Sequence, residues 1–268
     1  MPYNLICKIF LILAINANCQ EISNPGLNFK RCDNLKELKN FLGETLEYDI
    51  YWSFINVGKA YIKVEDIVEI SSNTCAYKII SRANSSSFLE NIYKVNDYNE
   101  AWFDINLNRS YGYYKDISEG KHKKKEWVIY DYKKKKYYGE TLKKKDKGYF
   151  EGEIESNLFD ILSALFYFRI KENKKNDIYS LKVNTKKTWD LNILNHGEEK
   201  IEINNVKYRC TVFEPMVGDE GIFVPQKGKK LLVYISDKEK IPVMLKAEVF
   251  IGSVVAKLSK IQTPKNNY

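Results

Sequence analysis

Apolar and polar positions alternate with a period of two along most of the chain from Glu44 onward. Leu46, Tyr48, Ile50, Trp52 and Phe54 fall on one face, and Glu47, Asp49, Tyr51 and Ser53 on the other. Strict alternation is the mark of a half-buried strand, because successive side chains point to opposite faces. Asn56-Val57-Gly58 reads as a turn, after which Ala60, Ile62 and Val64 resume the pattern. This predicts a β-hairpin with one dry face. The same reading predicts strands over 75–82, 93–103, 107–117, 126–132, 137–143, 179–185, 188–194, 199–203, 206–213, 230–235, 243–250 and 254–261. Gly120, the lysine run 133–136, Asn204-Asn205 and 236–240 supply turns, and Gly252 a turn or bulge.

The period changes once in the middle of the chain. Over 156–169, apolar residues recur at 158, 161, 162, 165 and 166, the spacing of one helical face. Ser156 or Asn157 can cap the first free N–H groups, and Asp160 suits the first turn. Leu35, Leu38, Phe41 and Leu42 also have helical spacing, so the lead-in is expected to hold a short helix. The fold class that follows is mostly β: a strongly curved antiparallel sheet, or a partly closed β-barrel, with one covering helix over about 156–169. No linker or repeat divides the chain. The organisation expected is a signal peptide over 1–18, a lead-in over 19–42, one β-rich domain over 43–262 and a tail over 263–268.

The amino terminus carries the export reading. Lys8 precedes the apolar run Ile9–Ile15, and the small residue Ala17 follows at a plausible cleavage position. The run is far shorter than the roughly 20 residues a membrane-spanning helix needs. Cys19 offers a lipid-attachment alternative, weakened by the preceding Asn18. The localisation expected is therefore the periplasm or cell envelope.

Composition sharpens this picture. The chain has 268 residues, 44% hydrophobic and 29% charged, enough to build a core. Its 20 Tyr and 13 Phe suit pleated surfaces. The net charge is +8, and the window 121–147 alone, with 12 Lys against four acidic residues, accounts for that whole excess. Lysines on hairpins are most simply a solvated face that deters edge-to-edge pairing. A second reading makes Lys123, Lys124, Lys125, Lys134 and Lys135 contacts to an anionic membrane surface or head group. Nucleic acid is set aside, because the window has no Arg and the chain carries an export signal.

Candidate chemistry is sparse. His122 and His196 lie far apart, and the five cysteines form no Cys-x-x-Cys, so neither a metal nor a cofactor is expected. Neither histidine has an evident partner, and His196-Gly197-Glu198-Glu199 reads as a turn. Cys32, Cys75 and Cys210 are disulfide candidates in an oxidising compartment, with connectivity open. Ser163 lacks the Gly-flanked turn of a serine nucleophile. The pairs Glu198/Glu199 and Glu151/Glu153 read as surface residues, and no Gly-rich phosphate loop occurs. A non-enzymatic protein is expected.

Three segments carry a family resemblance. They are Gly43–Trp52 with Val57-Gly58-Lys59-Ala60, then Asp160 with Leu162–Arg169, then Gly228–Asp237 with Ile241-Pro242-Val243 and Phe250–Val254. In that order they resemble the exported bacterial proteins known as domain of unknown function 3108. The resemblance implies an exported, β-rich protein and brings no activity or catalytic residues. At the matching positions Asp160, Ser163, Arg169, Pro242 and Gly252, structural roles are expected: capping, a buried polar partner, turn geometry.

Three functions compete on these grounds. The first is an envelope protein that binds a lipid, a lipoprotein or another apolar ligand on the concave face, lined by Trp52, Phe54 and Phe166. The second is a scaffold or interaction module whose faces are filled core. The third is an enzyme with an unrecognised site, which needs polar groups converging in a pocket.

Overall fold

The computed structural model of the chain describes residues 29–32, 41–90, 92–142, 147–172, 174–216, 230–249 and 251–262. The signal peptide, the lead-in helix and the tail expected from sequence fall mainly or wholly outside these residues.

All strands among the described residues join one antiparallel sheet. The first meander comprises β2 (Thr45–Trp52), β3 (Ile55–Ser71), β4 (Thr74–Ser85), β5 (Asn96–Asp104), β6 (Ser110–Glu119), β7 (His122–Asp131), β8 (Lys136–Leu142) and β9 (Lys147–Glu153). The second comprises β10 (Ile178–Asn184), β11 (Thr188–Ile203), β12 (Val206–Met216), β13 (Leu231–Ser236), β14 (Pro242–Glu248) and β15 (Ser253–Gln262). The two meanders fuse where β15 pairs with β2, so β9 and β10 are the free edges and the sheet is not closed. A short β1 (Lys30–Arg31) pairs with β3, and a single helical turn, α1 (Ser87–Glu90), links β4 to β5.

The remaining helix, α2 (Ile161–Ile170), lies in the chain between the two free edges. The segment before it touches both meanders. The Ser110 N–H donates to the Leu158 carbonyl at 2.7 Å, and Phe159 forms a parallel bridge with Val183 of β10. The Asp160 carboxylate caps the helix, accepting from the N–H groups of Leu162 and Ser163. The helix therefore starts later than its apolar spacing predicts, because the residues before Asp160 are extended and spend their backbone groups on the sheet.

The concave face is the core. Leu46, Tyr48 and Ile50 are at most 2% exposed, as the alternation requires. Phe166 of α2 meets Phe41 and Phe103 at centroid distances of 5.2 and 6.5 Å, which fixes the helix inside the curve. Cys32 and Cys75 form a disulfide that ties the lead-in to β4, and Cys210 is free and buried.

Three local expectations change. The first hairpin turns at Ser53-Phe54, not at Asn56-Val57-Gly58. Ser53 takes the positive φ of 55°, and β3 begins at Ile55. The stretch around His196 is not a turn but a bulge inside the single long strand β11. The register slips between Asn195 and Gly197, and Gly197 has φ 90°. Strand β9 has no counterpart in the sequence reading, because Lys147–Glu153 carries two Gly and little alternation.

An apolar groove and a polar row on the concave face

The helix divides the concave face. One flank packs into the aromatic cluster around Phe166. The other flank, with Ile161, Leu162, Ala164, Leu165 and Phe168, borders a groove. Its opposite wall is built by alternate residues of four neighbouring strands. Trp189, Leu191 and Ile193 come from β11, and Phe213 and Pro215 from β12. Leu231, Val233 and Ile235 come from β13, and Leu245 from β14. Every lining side chain is apolar, as expected for the inward set of each strand. The groove spans about 750 Å³, its open mouth included.

The three residues expected to line a ligand site lie elsewhere. Phe166 is buried against Phe41 and Phe103 on the filled flank of the helix. Trp52 is half-buried and donates its Nε1–H to the Ile251 carbonyl at 2.9 Å. Phe54 is 87% exposed, because it is the second residue of the hairpin turn and lies off the strand face. The groove residues were invisible as a set because they come from strands whose contacts depend on register.

The lysines do not form one surface. Lys123 hydrogen-bonds Ser118, and Lys125 pairs with Asp116 at 2.8 Å on the convex face. Lys124 points inward to Glu126 at 2.6 Å. Lys134 and Lys135 sit in the β7–β8 turn at the other end of the strand, with Lys134 3.3 Å from Asp131.

A second feature occupies the concave face of the first meander. Ser81, Asn99, Lys115, Glu126 and Thr141 are direct cross-strand partners in succession over β4, β5, β6, β7 and β8. They share the helix-facing side, since Asn99 alternates with Ala101 and Phe103 along β5. The row bonds in two groups. Asn99 donates to Ser81 Oγ at 3.4 Å. Glu126, 1% exposed, accepts from Tyr113 Oη at 2.8 Å, Thr141 Oγ1 at 3.1 Å and Lys124 Nζ at 2.6 Å. Between these groups stands Lys115, half-buried, with its Nζ 4.3 Å over the Tyr113 ring and no carboxylate within ion-pair distance among the described residues.

Electrostatics follow from this packing. Burial disfavours ionised Glu126, but Lys115 and Lys124 outweigh it and hold the carboxyl below its usual value. Burial pushes Lys115 down to about 8, against the pull of Glu126. Asp160 is also pushed up by burial, against hydrogen bonds from Ser163 and Ser110. On β5, two residues from Asn99, Asp97 is fully buried. Its carboxyl is pushed up to about 7 by burial, in spite of the Ser118 N–H that donates to Oδ1 at 2.8 Å. Its Oδ2 has no hydrogen-bond partner among the described residues.

Other candidate chemistry resolves into structure. His196 does have a partner: its Nε2 lies 2.6 Å from Glu214 on the neighbouring strand, across the bulge that a sequence reading takes for a turn. Ser163 is buried and donates to Asp160 Oδ2 at 2.5 Å. Arg169 joins Glu44 in a buried ion pair. No cluster of three or more metal-ligating side chains occurs among the described residues.

Comparison with known proteins gives a family and no activity. A solved structure, a β-barrel-like protein of domain of unknown function DUF1849 from Brucella abortus, is similar at 7% sequence identity and a TM-score of 0.49. The match covers 84% of this chain and 98% of that one. A search of curated proteins returned no match. The family model DUF3108, described as a protein of unknown function, matches residues 47–259. That span takes in the sheet from β2 to β15, the capped helix and both features of the concave face, and the chain belongs to the DUF3108 family.

Proposed function

We propose that this protein is an exported, non-enzymatic binding protein that holds an apolar, acyl-chain-like ligand in the groove between α2 and strands β11–β14. The observation that carries the reading is the wholly apolar lining of that groove. Apolar surface left in contact with water costs roughly 25 cal/mol per Å², so an apolar ligand gains by covering it. The filled packing around Phe166 shows that the chain can close such space where it needs to, as it does on the other flank of the same helix. The Cys32–Cys75 disulfide supports an oxidising compartment and hence export.

A lipid surface is the partner this reading favours, through one rim of the sheet. Phe54 and Ile55 in the first hairpin, Ile251 in the β14–β15 turn, and Phe88 and Ile92 between β4 and β5 are all exposed. Their loops adjoin. Ser53 N–H donates to the Ser253 carbonyl and Ser86 N–H to the Val57 carbonyl, each at 2.8 Å. Gly120 N–H donates to the Lys94 carbonyl at 2.7 Å, which brings Lys121 and Lys123 to the same rim. Apolar tips beside lysines suit an anionic bilayer, at about 1 kcal/mol per lysine near the surface.

Native mass spectrometry of protein purified from its own envelope, with uptake of a fluorescent fatty acid, tests the groove. Bound lipid and uptake are expected, with uptake lost in Leu165→Glu; empty protein and no uptake would reject the reading. Sedimentation with phosphatidylglycerol vesicles tests the rim. Binding is expected to fall in Phe54→Ser/Ile251→Ser, and equal binding by both proteins refutes that contact.

A further inference from the structure

The polar row makes little sense as core packing. Four of its five members are 6% exposed or less and satisfy one another in pairs. Lys115 breaks the pattern. Its cross-strand neighbours are Asn99 and Glu126, and Glu126 already accepts from Tyr113, Thr141 and Lys124. Asp160 is engaged as well, accepting from the Leu162 and Ser163 N–H groups, Ser163 Oγ and Ser110 Oγ. Two inward ammonium groups thus share one carboxylate that already accepts three hydrogen bonds. A cation withdrawn from water is costly unless it is paired. The Tyr113 ring face offsets part of that cost and supplies no counter-charge.

We infer that Lys115 is the anchor of an oxyanion site, taking a carboxylate or phosphate group on the concave face between Asn99 and Glu126. Lys115 is half-buried, so its side chain is not wholly sealed from solvent. Asn99, its cross-strand partner, carries a neutral donor that bonds Ser81 through one N–H, and Tyr113 and Thr141 hold the Glu126 carboxylate in place. Burial lowers the proton affinity of Lys115, and the charges of Glu126 and Asp160 do not make up the difference.

Two sources of the anion fit this chemistry. One is the head group of an amphiphile whose chain enters the groove past Ile161, next in the chain to Asp160, whose charge acts on Lys115; this source rests on the binding function proposed above. The other is a small free anion, which does not. A matched pair of ligands separates them. Dodecanoate is expected to bind at least about tenfold more tightly than dodecanol, a step of roughly 1.4 kcal/mol. Lys115→Met removes that preference and leaves dodecanol binding unchanged, while Lys115→Arg keeps it.

In parallel, inorganic phosphate is titrated against protein carrying ¹³C-labelled lysine. A saturable shift of the resonance that Lys115→Met deletes supports the free-anion source. If neither dodecyl ligand binds, the groove reading falls and the phosphate arm alone decides the Lys115 site. Equal affinity for dodecanoate and dodecanol, or no dodecyl binding, together with a phosphate-insensitive Lys115 resonance, overturns the proposal. Lys115→Met removes an unpaired charge and keeps an unbranched chain, so it is expected to melt no lower than the parent protein. The Arg variant gives a second, charge-preserving check on folding.

Discussion

Arg169, in the last turn of the helix, grips Glu44, just ahead of the first long strand, through two parallel hydrogen bonds. Nη1 lies 2.7 Å from Oε1 and Nη2 2.6 Å from Oε2. The guanidinium also donates its Nε–H to the Lys240 carbonyl at 2.7 Å and lies over the Phe41 and Phe166 rings. One buried side chain thus joins the helix, the start of the first meander and the β13–β14 turn of the second. Tyr48 completes the same junction by donating to the Pro242 carbonyl at 2.7 Å.

Breaking this pair from one side leaves a buried charge unpaired. Glu44→Ala is expected to cost about 3–5 kcal/mol in urea unfolding. Arg169→Lys loses the bidentate fork and is expected to fall between Ala and the parent. Replacing both partners by Met is expected to restore much of the loss, since a buried ion pair is a weak net stabiliser. A double variant as unstable as the sum of the singles would argue against a coupled pair.

Asp97 makes stability depend on pH. In the unfolded chain its carboxyl titrates near the ordinary value of 3.8, and in the folded protein near 7. Between these values the folded state holds more protons, so stability falls as pH rises from 3.8 to about 7 and the loss is then complete. The groups that set this are burial first, then the Ser118 N–H, Asp116 and Lys123. Asp97→Asn removes the ionisable group and is expected to flatten that part of the profile, with a gain of up to about 4 kcal/mol at pH 8. A profile equally steep in both proteins would show that another group controls it.

The Cys32–Cys75 bond closes a loop across a sequence separation of 43 residues. Cys32→Ser/Cys75→Ser is expected to lower stability by about 2–4 kcal/mol. Cys210 is buried, and burial pushes its thiol up to about 12, so it is expected to resist alkylation until the protein unfolds. A parent protein whose unfolding midpoint ignores reductant contradicts the first expectation. Rapid alkylation of native protein contradicts the second.

Much of the secondary structure is readable from local pattern alone. Leu46, Tyr48 and Ile50 alternate because the concave face excludes water, and all three are buried. Asn204-Asn205 marks its turn because both residues tolerate positive φ, here 51° and 65°. Local pattern misleads where tertiary contacts override it. Phe54 continues the apolar alternation yet leaves the sheet, because the strand has already turned at Ser53. The helix begins at Ile161 because the preceding residues hydrogen-bond to β6 and β10 instead.

By itself, the sequence determines that the chain is a β-rich body with a covering helix in its middle, and which side of most strands is dry. Side-chain chemistry and spacing act within one strand, and those are local quantities. The tertiary structure alone decides that β15 meets β2, that Cys32 meets Cys75, and that four separate strands wall a groove beside the helix. It alone decides that Ser81, Asn99, Lys115, Glu126 and Thr141 form a row. The physical reason is register. A slip of one residue at any turn or bulge sends an entire strand's side chains to the opposite face, and the summed turn lengths that set Lys115 opposite Glu126 leave no mark in the residues around either one.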